Sequence, residues 1–155
     1  MGPLPDFMEV FRITLEKWSN NLVASGLPAR WNSKGNVIYA ASSRALACLE
    51  NLVHRRGRGS EENFKTMVIH IPDDLVFEIV NLQDMEPGWN VFGEEGYTKC
   101  RLKGDEWLLR NASCVLSVPS AIIINERNYL INTSHPDFEK IEITAVESFF
   151  FDPRL

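Results

Sequence analysis

The sequence lacks the short motifs that identify the commonest enzyme classes. It contains no GxGxxG or GxxxxGK[ST] phosphate loop, no HExxH and no GxSxG. The signatures of Rossmann dehydrogenases, P-loop NTPases, zinc metalloproteases and α/β-hydrolases are therefore missing. Three isolated histidines, His54, His70 and His135, make a poor set of metal ligands, so we expect no metal.

Positive charge is also scarce. Lys and Arg number 16 against 21 Asp and Glu, which gives a formal net charge of −5. Non-specific nucleic-acid binding depends on clustered Lys and Arg that neutralise phosphates, so we expect no direct nucleic-acid partner. The three cysteines, Cys48, Cys100 and Cys114, show no CxxC spacing. They are predicted to be small buried hydrophobic residues in a reducing compartment.

Long hydrophobic runs are absent as well. The longest purely apolar runs, such as Ala121–Ile124, are far too short to cross a bilayer. The first residues carry neither a basic start nor an apolar signal core. We therefore expect a soluble, cytoplasmic protein with no membrane partner.

What is present suits a single domain spanning residues 1–155. The chain is 45% hydrophobic, enough to bury a core without disulfides or metal. Alternating or short apolar segments predict strands at 8–15, 37–40, 66–71, 76–82, 113–118, 121–124, 129–131 and 141–146. Helical spacing and capping predict helices from Ser42 or Ser43 to about His54 and over 98–109, with one short helix within 16–35. This pattern predicts an α+β fold with mixed sheets and a few helices.

The first long helix ends in a basic stretch, Arg55-Arg56-Gly57-Arg58-Gly59. A C-cap whose cations complement the helix dipole is favoured over an anion site.

Four polar or aromatic residues stand out in the first third of the chain. Arg12 lies in an apolar strand, Arg30 precedes a strand, Tyr39 lies within that strand, and Glu50 flanks the apolar face of the following helix. Two arginines for phosphates, an aromatic plane for a flat ring and a carboxylate for a developing cation form one interpretation. In the other, Arg12 and Glu50 form a buried ion pair, with Trp31 and Tyr39 as core. The spacing leaves both open.

Several segments together resemble the RES domain, in the order and spacing of that family. They run through nearly the whole chain: Arg30–Gly35, Val37–Ala40, Ala45–His54, Pro87–Trp89, Gly104–Leu108, Val118–Ser120, Asn128–Asn132, His135–Phe138 and Phe151–Arg154. The family's name comes from an Arg, a Glu and a Ser, which match Arg30, Glu50 and Ser120 here. Two departures affect loops: Ala29 stands where a Gly is usual, and Asn132-Thr-Ser-His-Pro replaces Asn-Pro-x-His-Pro.

The resemblance implies an ADP-ribosyltransferase-like fold and a bacterial toxin that degrades NAD⁺. It implies cleavage of the nicotinamide–ribose bond with inorganic phosphate as the acceptor. NAD⁺ hydrolysis, mono-ADP-ribosylation of a host protein and a non-catalytic binding module are the alternatives. The partner implied is an Xre-like helix-turn-helix antitoxin that covers the active site, and a homodimer is expected.

The resemblance also gives roles to individual residues. Glu50 is expected to stabilise the oxocarbenium-like sugar or to hold a ribose hydroxyl. Arg12 and Arg30 would grip the pyrophosphate or the attacking phosphate. Tyr39 would stack on nicotinamide, and Ser120 would position the nicotinamide ribose or its carboxamide. The substrate-binding set is completed by three residues for which packing or turn capping is the alternative role: Trp31, Asn32 and Asn128.

Overall fold

A computed structural model describes residues 7–55 and 62–155. Its seven strands form one sheet in the order β4-β5-β6-β2-β1-β3-β7. The strands are β1 (Phe7–Leu15), β2 (Val37–Ala41), β3 (Phe64–Pro72), β4 (Phe77–Ile79), β5 (Val115–Pro119), β6 (Arg127–Asn132) and β7 (Glu142–Phe149). Two α-helices accompany them, α1 (Arg44–Arg55) and α2 (Glu94–Arg110), with 3₁₀ helices at Glu16–Trp18, Leu82–Asp84 and Pro136–Lys140. The predicted α+β class is confirmed.

The two halves of the sheet meet between β1 and β2, where the strand pairing is short. β1 pairs with β3 along its whole length, whereas its register with β2 consists of one position, Phe11 opposite Ala41. β2 pairs instead with β6 over five residues. The sheet therefore opens between β1 and β2, and Arg12 of β1 and Ile38 of β2 line the same small cavity.

Helix α1 forms where the sequence predicts it and packs on one face of the sheet. Ser43 caps it: the Ser43 hydroxyl accepts a hydrogen bond from the Leu46 amide at 3.1 Å. Leu46 and Ala47 are buried against Phe11 and Ala41. The apolar stripe predicted from helical spacing is thus the buried face, and Glu50 lies at its flank.

Helix α2 begins at Glu94, four residues before the predicted start. Gly93, at φ 100°, takes the N-cap position and offers no side-chain cap, so the usual start signal is missing. Two glycines allow close backbone packing at α2: Gly104 lies against the segment before β2, and Gly96 lies against the loop before α2. A Cβ on Gly104 would lie 1.8 Å from the Trp31 carbonyl oxygen, and one on Gly96 would lie 2.1 Å from the Val91 carbonyl oxygen. Only glycine permits this approach.

Two predicted strands differ from the structure. Residues 121–124 form a turn rather than a strand, because the amides of Ile122 and Ile123 both bond to the Ser120 hydroxyl at 3.1 Å. The strand predicted over 76–82 is reduced to β4, followed by the 3₁₀ helix that starts at Leu82. An apolar run alone does not distinguish a strand from a turn whose amides a side chain satisfies.

Two further predictions concern the three cysteines and the basic stretch after α1. All three cysteines are free; Cys100 and Cys114 are buried, while Cys48 is only half-buried because α1 leaves that position at the edge of the core. Burial raises the pKa of the Cys114 thiol to about 12, so it stays protonated. Residues 56–59 of the basic stretch lie outside the described residues.

Candidate active site

The register of the sheet places several predicted residues on the face that carries α1 and α2. Tyr39 pairs with Leu130, and Ala41 pairs with Asn128. Side chains of an antiparallel pair share a face, so Tyr39 and Asn128 are diagonal neighbours, about 7–8 Å apart at their backbones. Asn128 also pairs with Val118 of β5, two residues before Ser120.

Glu50 is held on this face by two hydrogen bonds. Its Oε1 accepts from the Ser120 hydroxyl at 2.8 Å and from the Asn128 Nδ2 at 2.9 Å. These partners lie 70 and 78 residues away along the chain. Two neutral donors therefore fix the carboxylate and leave its negative charge unneutralised by an ion pair within residues 7–55 and 62–155.

Ser120 is completely buried, and its side chain contacts the Glu50 carboxylate. Its hydroxyl donates to Glu50 and accepts from two amides of the turn that follows. Ser120 was predicted to position the nicotinamide ribose or its carboxamide; in this structure its side chain has no exposed surface and contacts Glu50 and the turn that follows. Its contacts make it a residue that orients the carboxylate.

Asn128 is 8% exposed and has an unmatched acceptor. Its Nδ2 is used by Glu50, and its Oδ1 is buried without a partner in the described part of the chain. Buried polar atoms are nearly always hydrogen-bonded, so an unmatched one beside a carboxylate is a feature of interest.

Arg30 lies at the N-terminal end of α2. Its Nη1 donates to the Trp89 carbonyl at 2.8 Å and its Nη2 to the Val91 carbonyl at 3.2 Å. The guanidinium also lies over the Tyr97 ring, 4.7 Å from its centroid. Two loop carbonyls and an aromatic face thus hold this cation in one orientation.

Two residues of α2 beside Arg30 were not predicted from the sequence, Tyr97 and Arg101. Arg101 lies over the same Tyr97 ring at 5.4 Å, and its Nε donates to the Ala29 carbonyl at 2.9 Å. The helical spacing of four between them was the available signal, since it places both on one side of α2. The structure therefore brings two arginines together here, Arg30 and Arg101.

Tyr39 is fixed by the turn that precedes β2. Its hydroxyl donates to the Asn32 Oδ1 and accepts from the Trp31 amide at 3.0 Å. Burial raises the pKa of Tyr39 well above its ordinary value, against the smaller opposing effects of the Trp31 hydrogen bond and the Arg101 charge. Tyr39 is therefore a neutral donor at every physiological pH. The Trp31 and Asn32 side chains are almost wholly buried, so they support Tyr39 from within the fold.

Arg12 is not brought to this face. Phe11 shares a face with Ala41, so the alternation of β1 directs Arg12 to the opposite face. There it lines a small cavity with Ile38 and Met67. Its Nη1 donates to the Tyr39 carbonyl at 3.2 Å across the opening between β1 and β2, and burial lowers the pKa of its guanidinium. The ion pair between Arg12 and Glu50 is likewise not formed.

A further cavity lined by described residues contains none of the residues predicted for the site. This cavity of about 280 Å³ is lined by Phe64, Phe149 and Phe151 among others. Within residues 7–55 and 62–155, no three His, Cys, Asp or Glu side chains are grouped as a metal would require. In the same ranges, no helix is both long and apolar enough to span a bilayer.

Comparisons with known proteins agree with this fold and with the motifs. The chain matches the RES domain family over residues 9–152. It is 36% identical over 129 residues to the Prs ADP-ribosylating toxin of Sphingobium sp., covering 81% of this chain and 79% of that protein. It is also 36% identical over 129 residues to Toxin Res of Yersinia enterocolitica, covering 81% and 82% of the two chains.

A solved structure shares the fold at much lower identity. It is the crystal structure of the Mycobacterium tuberculosis MbcT–MbcA toxin–antitoxin complex, with a TM-score of 0.76 at 14% identity. The match covers 93% of this chain and 85% of that chain. With motifs, sequence relatives and fold in agreement, the chain belongs to the RES domain family.

Proposed function

We propose that this protein is an enzyme that cleaves the nicotinamide–ribose bond of NAD⁺ and acts as the toxin of a type II toxin–antitoxin pair. The observation that carries the proposal is the Glu50 carboxylate, held by Ser120 and Asn128 on the same sheet face as Tyr39. The names of the relatives, an ADP-ribosylating toxin and a Toxin Res, support the same chemistry and role. We further propose that the protein acts in the cytoplasm.

The reaction breaks one bond and forms another at the same ribose carbon. The electron pair of the C1′–N bond leaves with nicotinamide, which departs as a neutral molecule. Positive charge then develops on the sugar, as in glycoside cleavage. Glu50 would stabilise that charge, since a fixed carboxylate needs no reorganisation as the cation forms. An oxygen of inorganic phosphate would form the new bond to C1′ and give a phosphorylated ADP-ribose.

Arg30 and Arg101 are the cations we assign to the phosphates. Both guanidiniums lie against Tyr97, and the Arg101 charge also acts on Tyr39. Among the described residues, each guanidinium uses only part of its donor set. Bidentate arginine contacts suit a pyrophosphate or an attacking phosphate. In this proposal Arg101 takes the role that the family resemblance implied for Arg12, whose side chain lies on the opposite face of the sheet.

Tyr39 would supply the flat surface for nicotinamide. Its ring is half-buried, and its hydroxyl is already bonded to the turn, so the ring cannot swing away. A pre-oriented ring reduces the entropy lost when a ligand stacks on it.

ADP-ribosyl transfer to a protein is the second candidate. It is favoured by the name of the Sphingobium relative, an ADP-ribosylating toxin. Hydrolysis would use the same cleavage with water in place of phosphate or protein.

The partner we propose is an Xre-like helix-turn-helix antitoxin that covers the site. The shared fold with a chain of a toxin–antitoxin complex supports an antitoxin partner, and the helix-turn-helix type is taken from the family resemblance. On the family resemblance, we also propose a homodimer of the toxin.

The deciding experiment measures nicotinamide release from NAD⁺ by purified protein free of antitoxin, with and without inorganic phosphate. Release that requires phosphate, with a new phosphorylated ADP-ribose product, is the expected result. Release without phosphate supports hydrolysis or transfer, and labelled NAD⁺ in a lysate then distinguishes these two by labelling a protein band. No release in either condition, with NAD⁺ still bound, would support a non-catalytic binding module instead.

A further inference from the structure

The Tyr97 ring is shared by two cations that come from different parts of the chain. Arg30 precedes β2, and its guanidinium carbon lies 4.7 Å from the ring centroid. Arg101 follows Tyr97 by one turn of α2, and its guanidinium carbon lies 5.4 Å from the same centroid. The two charges therefore lie within about 10 Å of each other, which is within the screening length at ordinary salt. Like charges this close repel each other, so their positions depend on the groups that hold them.

The protein supplies no acid to balance this pair of cations. In the described part of the chain, neither Arg30 nor Arg101 forms an ion pair with a carboxylate. Backbone carbonyl groups hold both guanidiniums instead. Both side chains are only half-buried, so a ligand can reach them. Two oriented cations without a protein anion favour an anionic ligand, and a bound pyrophosphate group can reach both.

The aromatic ring is the group that the two arginines have in common. The face of the ring carries partial negative charge, which attracts each guanidinium and offsets part of their mutual repulsion. The ring is itself held in place, since the Tyr97 amide donates to the Gly93 carbonyl at 3.0 Å and the ring makes an edge contact with Phe92 at 6.0 Å. Gly96 leaves room for the cation, because a Cβ there would lie 3.1 Å from Arg30 Nη1.

We propose that Tyr97 is a positioning residue, which holds Arg30 and Arg101 at the spacing that binds the two phosphates of one pyrophosphate group. This inference rests on the proposed function, which assigns the two arginines to the phosphates. Tyr97 acts through the arginines, so its replacement should affect substrate binding rather than bond cleavage. The contacts that carry the role are made by the ring, so the hydroxyl is dispensable for it.

The experiment measures kcat and KM for NAD⁺ in the wild-type protein, Tyr97→Leu and Tyr97→Phe. Tyr97→Leu keeps an apolar side chain but removes the ring. Its KM should rise about tenfold, the effect expected of two lost cation–π contacts, while kcat stays within about twofold of wild type. Tyr97→Phe, the matched control, keeps the ring and should retain the wild-type KM. Thermal unfolding shows whether each variant is folded, and Tyr97→Met replaces Tyr97→Leu if the latter is not.

A double-mutant cycle tests whether Tyr97 acts through the arginines. In Arg101→Gln, one of the two cation–π contacts is already absent, so adding Tyr97→Leu should raise KM by no more than about threefold. A tenfold rise in both backgrounds would show that Tyr97 acts independently of Arg101 and would refute the shared-ring assignment.

The affinity for ADP-ribose, measured by calorimetry, separates this inference from the function on which it rests. ADP-ribose carries the same pyrophosphate group but has no nicotinamide to lose. Its affinity should fall about tenfold in Tyr97→Leu and stay unchanged in Tyr97→Phe. If this pattern is found but NAD⁺ is not cleaved, the proposed function fails and the positioning role stands. Equal affinity in wild type and Tyr97→Leu, an equal loss in Tyr97→Phe, or no binding of ADP-ribose by the wild-type protein would refute the positioning role.

Discussion

Replacing Glu50 with glutamine removes one charge from the site while keeping its shape. The amide oxygen of the glutamine can accept both hydrogen bonds that Oε1 accepts now, from Ser120 and Asn128. Exchanging two charge-assisted hydrogen bonds for neutral ones costs about 1 kcal/mol each, partly offset because a half-buried charge disappears. We therefore expect the free energy of unfolding to change by no more than about 2 kcal/mol.

The effect on catalysis should be much larger. At an effective dielectric constant near 20, a carboxylate about 4 Å from a unit positive charge contributes about 4 kcal/mol. That energy corresponds to a rate factor of about 10³ in the cleavage step. Glu50→Gln should therefore fold normally and release nicotinamide about a thousandfold more slowly, with the loss in kcat rather than in KM.

The assay is nicotinamide release under saturating NAD⁺, with thermal unfolding measured on the same preparations. Glu147→Gln is the matched control, since Glu147 is a carboxylate paired with Arg44 at 2.7 Å on the edge strand β7, outside the site. It should retain wild-type turnover. Turnover by Glu50→Gln within about tenfold of wild type would refute the electrostatic role, because it would leave less than about 1.4 kcal/mol for the charge.

Three further changes test other parts of the structure. Arg101→Gln should raise the KM for NAD⁺ with little change in the melting temperature; an unchanged KM in steady-state kinetics would remove Arg101 from the phosphate contacts. Gly104→Ala should destabilise the fold by about 2–3 kcal/mol or more in chemical denaturation, because its Cβ would overlap the Trp31 carbonyl, and wild-type stability would contradict this. Burial by itself raises the pKa of Glu78. The hydrogen bonds from Ser113 and Arg110 together outweigh that effect, so the pKa of Glu78 is lowered overall. Glu78 therefore adds stability above its unfolded pKa, and that stability is lost as pH falls through its lower folded pKa. The melting temperature of Glu78→Gln should thus lie below wild type at pH 7 and approach it in acid, and a gap that does not change with pH would argue against this.

Local patterns predicted much of the scaffold that carries the site. Helical spacing and the Ser43 cap located α1 and placed Glu50 at the flank of its buried stripe, because both signals depend on residues within one or two turns. The start of α2 was missed because Gly93 gives no side-chain cap. The apolar residues after Ser120 predict a strand where the structure has a turn, because they do not reveal that a hydroxyl satisfies their amides.

The sequence by itself determined which side chains share a face of one element and, through its motifs, the family to which the chain belongs. The tertiary structure decided which of those faces meet. It joined Glu50 to Asn128 across 78 residues, paired Arg30 with Arg101 through Tyr97, and directed Arg12 to the far side of the sheet. The physical reason is that periodicity within a strand or helix is a local property of the backbone. The register between strands, by contrast, is set by pairing and packing of segments far apart in the chain.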